Sequence, residues 1–208
     1  MAQDTCFIDG LSPTLQLEGK HVILEPLSIQ HVASLGDAAC DGKLWELNFT
    51  NVPRADQNLL AVEALVTHAL KKRDTGLELP FVVRRVSDNK IVGTTRFYAI
   101  ESQHRNLSIG YTWYAKSAQR TAINTECKFM MLRHAFEQLN CISVQWHIDH
   151  RNIASQKAVE RLGAIKEGVL RNHKIMPDGS YRHTHCYSML DTEWEPAKQF
   201  LLQSLGFK

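Results

Sequence analysis

A loop that leads from a predicted strand into a long predicted helix carries the residues best suited to bind a phosphate. It reads Ser-Ala-Gln-Arg-Thr-Ala-Ile-Asn over residues 117–124. The first backbone N–H groups of a helix have no partner inside the helix, and the positive end of the helix dipole lies there. The guanidinium of Arg120 adds a permanent charge that can grip phosphate oxygens. The pattern indicates an anion site, although an ordinary helix start that contains an arginine looks the same.

Side chains that can move protons follow the next predicted strand. Asp149 ends that strand, and Asn152 and Ser155 stand at the start of the helix after it. Asn152 can also serve as a helix N-cap, and Ser155 can satisfy the helix backbone. His173 lies on a later strand, and its imidazole titrates near neutral pH and can accept a proton through water. The chain has ten histidines, so a plain surface position is the alternative for His173.

Histidine and cysteine are also the side chains that would hold a metal. His183 and His185 share one face of a predicted strand, and Cys186 follows them, but a third ligand at compatible spacing is lacking. We therefore expect no metal and exposed sheet histidines. The cysteines are scattered without a C-x-x-C pair, which predicts free thiols and neither a disulfide framework nor a zinc site. The five are Cys6, Cys40, Cys127, Cys141 and Cys186.

The composition is that of an ordinary globular protein. The 208 residues are 44% hydrophobic and 22% charged, which excludes the disordered and coiled-coil classes. Twenty-four Lys and Arg against 22 Asp and Glu leave a net charge of +2, too little for a dedicated nucleic-acid binder. The apolar runs are too short to span a membrane. No basic region followed by an apolar one opens the sequence, so we expect a cytoplasmic protein without nucleic-acid or membrane partners.

The periodicity of apolar residues predicts the elements that must position these side chains. Alternation predicts strands, and spacings of three and four predict helices. The predicted strands are residues 21–27, 81–86, 91–100, 107–114, 143–148, 164–176 and 181–190. The predicted helices are residues 28–39, a segment that begins at Asp56, residues 121–139 and residues 152–162. Gly163 stands where a left-handed residue ends a helix, and Pro177-Asp178-Gly179 predicts a hairpin turn.

This order of elements predicts an α/β (α+β) fold, a mixed sheet with helices on it. We expect a single domain over residues 19–192, preceded by an N-terminal extension at residues 1–18. Residues 193–208 form a predicted helical tail, whose apolar stripe should pack on the domain. The stripe consists of Trp194, Ala197, Leu201 and Leu205.

Several short motifs follow one another in an order that can be compared with known families. They are Leu-Ser-Ile-Gly-Tyr at 107–111, Gln119, Thr125-Glu126, Asp149-x-x-Asn152-x-x-Ser155, Leu-Gly-Ala at 162–164 and Glu167-Gly168. Their order and spacing resemble the GNAT superfamily of acetyl-CoA-dependent N-acetyltransferases. The resemblance covers roughly residues 19–192 and is strongest to the branch of the ribosomal-protein alanine acetyltransferases RimJ and RimL.

The resemblance implies a largely antiparallel sheet of about seven strands that splays between the strand ending near Tyr114 and the strand at 143–148. Acetyl-CoA would lie in that gap, with its pyrophosphate on the loop. Of the family pattern Arg/Gln-x-x-Gly-x-Gly/Ala, this chain has Gln119, Ala122 and Asn124, so both glycine-type positions are altered. Strand-end packing is the alternative role for Trp113 and Tyr114. The residues expected to bind the co-substrate are Tyr111, Trp113, Tyr114, Gln119, Arg120, Thr121, Ala122, Ile123, Asn124 and Asn152.

The resemblance also implies the catalytic groups. Many members protonate the leaving thiolate from a tyrosine, but Val159 occupies that position here, and RimL-like members use a serine that matches Ser155. Ser108 replaces a glutamate that is common in the family, which leaves His173 as the candidate base and Asp149 as the other choice.

The function implied is transfer of an acetyl group from acetyl-CoA to a primary amine, either a protein N-terminus or a small molecule. A longer acyl-CoA is one alternative. The changes at Ala122, Asn124 and Ser108 allow another, a catalytically idle acyl-CoA-binding module. A homodimer is left open. A dinucleotide-dependent oxidoreductase is disfavoured because no Gly-x-Gly-x-x-Gly motif follows a predicted strand.

Overall fold

A single eight-stranded sheet in the spatial order β1-β2-β3-β4-β5-β6-β8-β7 organises the computed structural model, which describes residues 10–47, 49–50, 52–176 and 178–206. The strands are β1 (Leu17–Glu18), β2 (Val22–Pro26), β3 (Glu78–Arg85), β4 (Ile91–Glu101), β5 (Asn106–Tyr114), β6 (Ser143–Asp149), β7 (Ile165–Ile175) and β8 (Tyr181–Leu190). Among the described strands, β5 and β6 form the only parallel pair. The predicted mixed, largely antiparallel sheet is confirmed.

Within the residues that the structure describes, five α-helices cover the sheet. They are α1 (Val32–Cys40), α2 (Leu60–Asp74), α3 (Ala122–Arg133), α4 (Ile153–Arg161) and α5 (Asp191–Ser204). The helix α1 contacts β4 and the helix α2 contacts β3, whereas α3 contacts β1, β2 and α5. None of the described helices is both long and apolar enough to cross a membrane.

The short strand β1 lies in the segment that was expected to be an N-terminal extension, and it pairs with β2 as an eighth strand where about seven were expected. Its attachment depends on the buried carboxylate of Glu126 in α3, which is 1% exposed. The carboxylate accepts hydrogen bonds from the backbone N–H groups of Lys20, His21 and Val22 at 2.8, 2.7 and 3.0 Å. A buried carboxylate needs such donors, so α3 and the start of the sheet stabilise each other.

The start of α2 differs from the prediction. The helix begins at Leu60, not at Asp56, because the side-chain oxygen of Asn58 accepts the Leu60 N–H at 3.0 Å. Asp56 instead forms an exposed ion pair with Arg54 at 2.8 Å. The predicted stripe of Val62, Val66 and Ala69 is fully buried.

The long predicted helix at 121–139 changes its form near its end. The α-helix stops at Arg133 and continues as a π-helix over His134–Gln138. The C-terminal helix α5 packs on this region, with the Trp194 ring stacked 5.5 Å from Phe136. The Trp194 indole N–H donates to Glu137 at 2.9 Å.

Two glycines at predicted turns have the expected left-handed backbone conformation. Gly163, after α4, has φ +101°, and Gly179 has φ +79° in the β7–β8 turn. Both values lie in the left-handed region that glycine adopts without penalty. Pro177 of the predicted hairpin lies outside the described residues.

Candidate functional site

The parallel strands β5 and β6 separate after three residue pairs. Residues 106–108 pair with residues 143–145. Beyond them β5 runs on to Tyr114 and β6 to Asp149 without pairing to each other. The predicted splay is confirmed, and the backbone of residues 109–114 borders a gap in which an extended ligand can add as a strand.

A β-bulge in β5 turns a tyrosine out beside this gap. The register of β4 and β5 slips at this point, and Tyr111 has φ +51°. Its ring meets the Tyr98 ring edge-on at 5.2 Å, and the Arg96 guanidinium lies 4.2 Å from its centre. Arg96 is only 3% exposed and pairs with Glu78 at 2.6 Å. A bulge re-aims side chains in this way, so Tyr111 is held by defined partners at the edge of the gap.

The loop after β5 is fixed by its own side chains. The Gln119 amide donates to the Tyr114 carbonyl at 3.0 Å. Thr121 is the N-cap of α3, because its hydroxyl oxygen accepts the Ile123 N–H at 3.3 Å and the hydroxyl donates to the Ala118 carbonyl at 2.7 Å. Gln119 and Thr121 therefore shape the loop.

Other backbone donors of the loop remain available. Within the described residues, the N–H groups of Arg120, Thr121, Ala122 and Asn124 donate no hydrogen bond. The Arg120 side chain is exposed and forms no ion pair with a described residue. The left-handed residue of the loop is Arg120 itself, with φ +58°, whereas Ala122 begins the helix. Nothing at Ala122 or Asn124 therefore requires the conformational freedom of glycine.

The aromatic side chains at the end of β5 belong to the core. Trp113 and Tyr114 are 6% and 8% exposed. Burial raises the pKa of the Tyr114 hydroxyl well above its usual value. The strand-end packing considered for these two residues is what the structure shows, which leaves their backbone, and not their side chains, to face a ligand.

Asn152 and Ser155 lie together at the N-terminus of α4. The Asn152 side-chain oxygen accepts the Ser155 N–H at 3.0 Å, so Asn152 is the N-cap. Ser155 is partly exposed, and its hydroxyl bonds to no described residue. Because the capping is done by Asn152, the Ser155 hydroxyl is free to meet a ligand.

His173 lies on the exposed edge strand β7. Its Nδ1 atom is 3.0 Å from the Thr184 hydroxyl. It lines an open groove of about 780 Å³. The other residues of the groove are Val169, Leu170, Arg171, Asn172 and His183.

The Asp149 carboxylate is bound by the neighbouring Arg151. Arg151 forms an ion pair with it at 2.9 Å and also donates its backbone N–H at 2.9 Å. Burial raises the pKa of the Asp149 carboxyl, but the hydrogen bonds and charge of Arg151 outweigh it, and the net pKa is lowered. A carboxylate with a lowered pKa is a weaker proton acceptor, which disfavours Asp149 as the base.

His183 and His185 have separate partners. His183 Nδ1 accepts the Asn172 N–H at 2.9 Å, and His185 Nδ1 lies 2.9 Å from the Gln156 side-chain oxygen. Among the described residues, no three His, Cys, Asp or Glu side chains are grouped to hold a metal ion.

Sequence reasoning missed a pair of side chains that meet over β5. The His147 Nδ1 atom lies 3.2 Å from the Tyr98 hydroxyl. The Tyr98 ring crosses β5 directly over Gly110, where an added Cβ would come within 2.7 Å of the ring. The only sequence signal was the glycine in the run at 107–111, which marks a close approach without naming the partner.

Sequence reasoning also missed a buried lysine. Lys128 in α3 is 5% exposed and donates to the hydroxyls of Thr95 and Thr112 at 3.0 and 2.7 Å. In the described part of the chain no carboxylate pairs with it. Burial lowers its pKa to about 8. Thr112 follows Tyr111, so this amine supports the bulge from the side opposite Tyr98.

The sequence of the chain is similar to those of known acetyltransferases. The family model described as acetyltransferase (GNAT) domain matches residues 21–165. A Bacillus subtilis (strain 168) protein named "Putative ribosomal N-acetyltransferase YdaF" is 29% identical over 111 residues, which are 53% of this chain and 60% of that protein. The match to that relative thus spans less than two thirds of its length.

Solved structures are similar over most of the chain. A GCN5-related N-acetyltransferase from Brucella melitensis has a TM-score of 0.82 and 26% identity, covering 92% of this chain and 86% of that one. Mycobacterium smegmatis RimJ, solved in complex with CoA-disulfide, has a TM-score of 0.73 and 19% identity, covering 89% of each chain. The second likeness is one of fold alone.

Proposed function

The chain belongs to the GNAT acetyltransferase family and is an N-acetyltransferase, and from this premise we propose that it transfers the acetyl group of acetyl-CoA to a primary amine. The family match gives acetyl transfer to an amine in general. The choice of acetyl-CoA and the roles of individual residues are the proposal.

One structural observation gives the main support for this proposal. The gap between β5 and β6 ends at a loop where the N–H groups of Arg120, Thr121, Ala122 and Asn124 have no partner among the described residues. A diphosphate with an extended arm needs unpaired donors for its phosphates and an open strand edge for its arm. The chain offers both, one after the other.

Acetyl-CoA would be held mainly by backbone groups. The pyrophosphate would accept from residues 120–124, with the Arg120 guanidinium adding charge. The pantetheine arm would pair along residues 109–114, which brings the thioester to the narrow end of the gap. Gln119 and Thr121 would act by holding the loop, and Asn152 by holding the start of α4.

The departing thiolate needs a proton, and we assign its delivery to Ser155. The hydroxyl is not used by the described part of the protein, and it lies in the first turn of α4, where the positive end of the helix dipole favours developing negative charge. Asn152 fixes the residue through its backbone.

The attacking amine must lose a proton, and we assign the final passage of that proton to solvent to His173. The imidazole lines the open groove on β7 and is oriented by Thr184. A groove with Val169 and Leu170 on its wall can also receive the aliphatic part of an acceptor. The acceptor class we propose is a protein N-terminus or a small amine, as in the RimJ/RimL-like branch.

The test is CoA thiol release by the wild-type chain. Acetyl-CoA is offered with peptides, amino acids, polyamines and aminoglycosides, and propionyl-CoA and succinyl-CoA serve as longer donors. Amine-dependent thiol release with matching product mass is expected with acetyl-CoA. Calorimetric binding of acetyl-CoA without release to any amine would instead make the chain an idle binding module, and faster release from a longer donor would change the proposed acyl group.

A further inference from the structure

A histidine on β6, His147, lies closer to the narrow end of the gap than His173 on β7 does. His147 lies two residues past Gln145, the last residue of β6 that pairs with β5. His173 is two strands further out, since the sheet order is β5-β6-β8-β7. Adjacent strands lie about 4.8 Å apart, so His173 stands on the order of 10 Å from the strand that borders the gap.

The His147 imidazole is held in a fixed orientation. Its Nδ1 atom meets the Tyr98 hydroxyl at 3.2 Å, and the Tyr98 ring lies against Gly110 of β5. Burial raises the pKa of Tyr98 to about 12, so the tyrosine stays a neutral hydroxyl that also interacts with Ser108. When Nδ1 carries the imidazole proton and donates it to the Tyr98 oxygen, Nε2 presents its lone pair, and no described residue occupies that atom.

The surroundings keep this imidazole neutral. His147 is half-buried, and burial lowers its pKa, as do the protonated form of His173 on β7, Arg182 on β8 and Lys174 on β7. From β4 it faces the uncharged Tyr98, whose hydroxyl also interacts with Ser108 of β5. A neutral imidazole at physiological pH is the form that accepts a proton.

We propose that His147 is the catalytic residue that takes the proton directly from the acceptor amine, an inference that rests on the proposed acetyl transfer. As the amine nitrogen forms its bond to the thioester carbonyl carbon, the N–H proton passes to His147 Nε2, and the carbon–sulfur bond breaks as the thiolate takes a proton from Ser155. The imidazolium keeps its Nδ1–H bond to Tyr98 and then returns its proton to solvent, while the Ser155 oxygen takes a proton from solvent and becomes a hydroxyl again.

His173 has a place in this scheme on the exit route. Arg182 donates to the His147 carbonyl at 3.0 Å and to the Thr184 hydroxyl at 3.0 Å, and Thr184 in turn contacts His173. Because His147 lies closer to the narrow end of the gap, it would receive the proton first, and His173, at the exposed groove, would assist the departure of the proton to solvent.

The experiment compares pH profiles of kcat/KM on one amine for the wild type, His147→Gln, His173→Gln and Tyr98→Phe. His104→Gln is the control, since His104 is an exposed residue of the short helix Ser102–His104 before β5. We expect His147→Gln to lower kcat by about 10² to 10³ and to remove the ionisation of the acidic limb, as for loss of a general base. Acetyl-CoA affinity by calorimetry should stay unchanged, which also shows that the variant is folded.

The other two variants test the roles assigned to Tyr98 and His173. Tyr98→Phe should shift the acidic limb without removing it, and His173→Gln should cost less than His147→Gln. A His147→Gln enzyme with the rate and pH profile of the wild type would overturn the assignment while leaving acetyl transfer intact. A wild type that binds acetyl-CoA but acetylates no amine would overturn the proposed function, and this inference with it.

Discussion

The ammonium group of Lys128 donates a hydrogen bond to Thr112 at 2.7 Å, directly beneath the bulge that turns Tyr111 towards the gap. The same nitrogen donates to Thr95 at 3.0 Å, so one buried amine joins α3 to both strands of the bulge. No described carboxylate neutralises it. The geometry at the candidate site therefore depends on a cation that is costly to bury.

The lowered pKa of Lys128 predicts a specific dependence of stability on pH. A fall from 10.5 to about 8 corresponds to a cost of roughly 3 kcal/mol when the amine is charged. Between these values the unfolded chain binds more protons than the folded chain, so the free energy of unfolding should rise with pH. The cost is full below pH 8 and disappears above the unfolded pKa.

Urea unfolding of the wild type and Lys128→Met from pH 7 to pH 10 measures this effect. The wild type should gain stability relative to the variant as pH rises through the window, because methionine carries no charge to bury. Lys71→Met, at an exposed position of α2, is the control and should leave the pH dependence unchanged. Parallel curves for the wild type and Lys128→Met would contradict the prediction.

Local features of the sequence predicted most of the fold. Strands and helices follow from periodicity, and the ends of α4 follow from Asn152 and Gly163. Where the prediction failed, a local hydrogen bond decided: the Asn58 side chain accepts the N–H of Leu60, and α2 begins at Leu60, four residues after the expected start. Such a bond depends on one side chain, which the periodicity of apolar residues does not reveal.

Only the part of the candidate site whose residues are neighbours in the sequence could be predicted. The loop over residues 117–124 could be placed because a loop and a helix start are sequence neighbours. Tyr98 and His147 are 49 residues apart, and their contact depends on β6 lying beside β5 and on the missing side chain at Gly110. Glu126 reaches its donors across 104 to 106 residues. No spacing rule within one sequence reveals such pairs.

Arg120 should contribute to acetyl-CoA binding through its charge. Arg120→Asn removes the guanidinium while keeping a residue that tolerates φ +58°. The loss of one charge-assisted contact should weaken binding by about 1–2 kcal/mol in calorimetry. Lys71→Gln, which removes one positive charge on α2, should bind as the wild type does. Equal affinities for the wild type and Arg120→Asn would exclude Arg120 from the pyrophosphate site.

Ser155→Ala should lower kcat without weakening acetyl-CoA binding. The substitution keeps the N–H that Asn152 caps, so α4 should retain its start. Losing the proton donor should reduce kcat by about 10²-fold, with water partly replacing it. Ser87→Ala, in the exposed β3–β4 turn, serves as the control. Unchanged turnover at saturating substrates would leave Ser155 as a residue of the helix start only.

Gly110 should control catalysis through Tyr98 without touching a substrate. An added Cβ would lie 2.7 Å from the Tyr98 ring, which must then move away from His147. Gly110→Ala should therefore lower kcat and shift the acidic limb of the pH profile, as Tyr98→Phe does, because both changes disturb the partner of Nδ1.

Gly168→Ala is the matched control for this prediction. Gly168 lies on β7, and an added Cβ would meet nothing within 4 Å. This variant should keep the wild-type rate, and by restricting the unfolded chain it can gain up to about 1 kcal/mol of stability. If Gly110→Ala also kept the wild-type rate and pH profile, Tyr98 would not be needed to orient His147. If Gly110→Ala lost activity, Gly168→Ala did not, and Gly110→Ala kept its affinity for acetyl-CoA, the loss would be attributed to displacement of the Tyr98 ring.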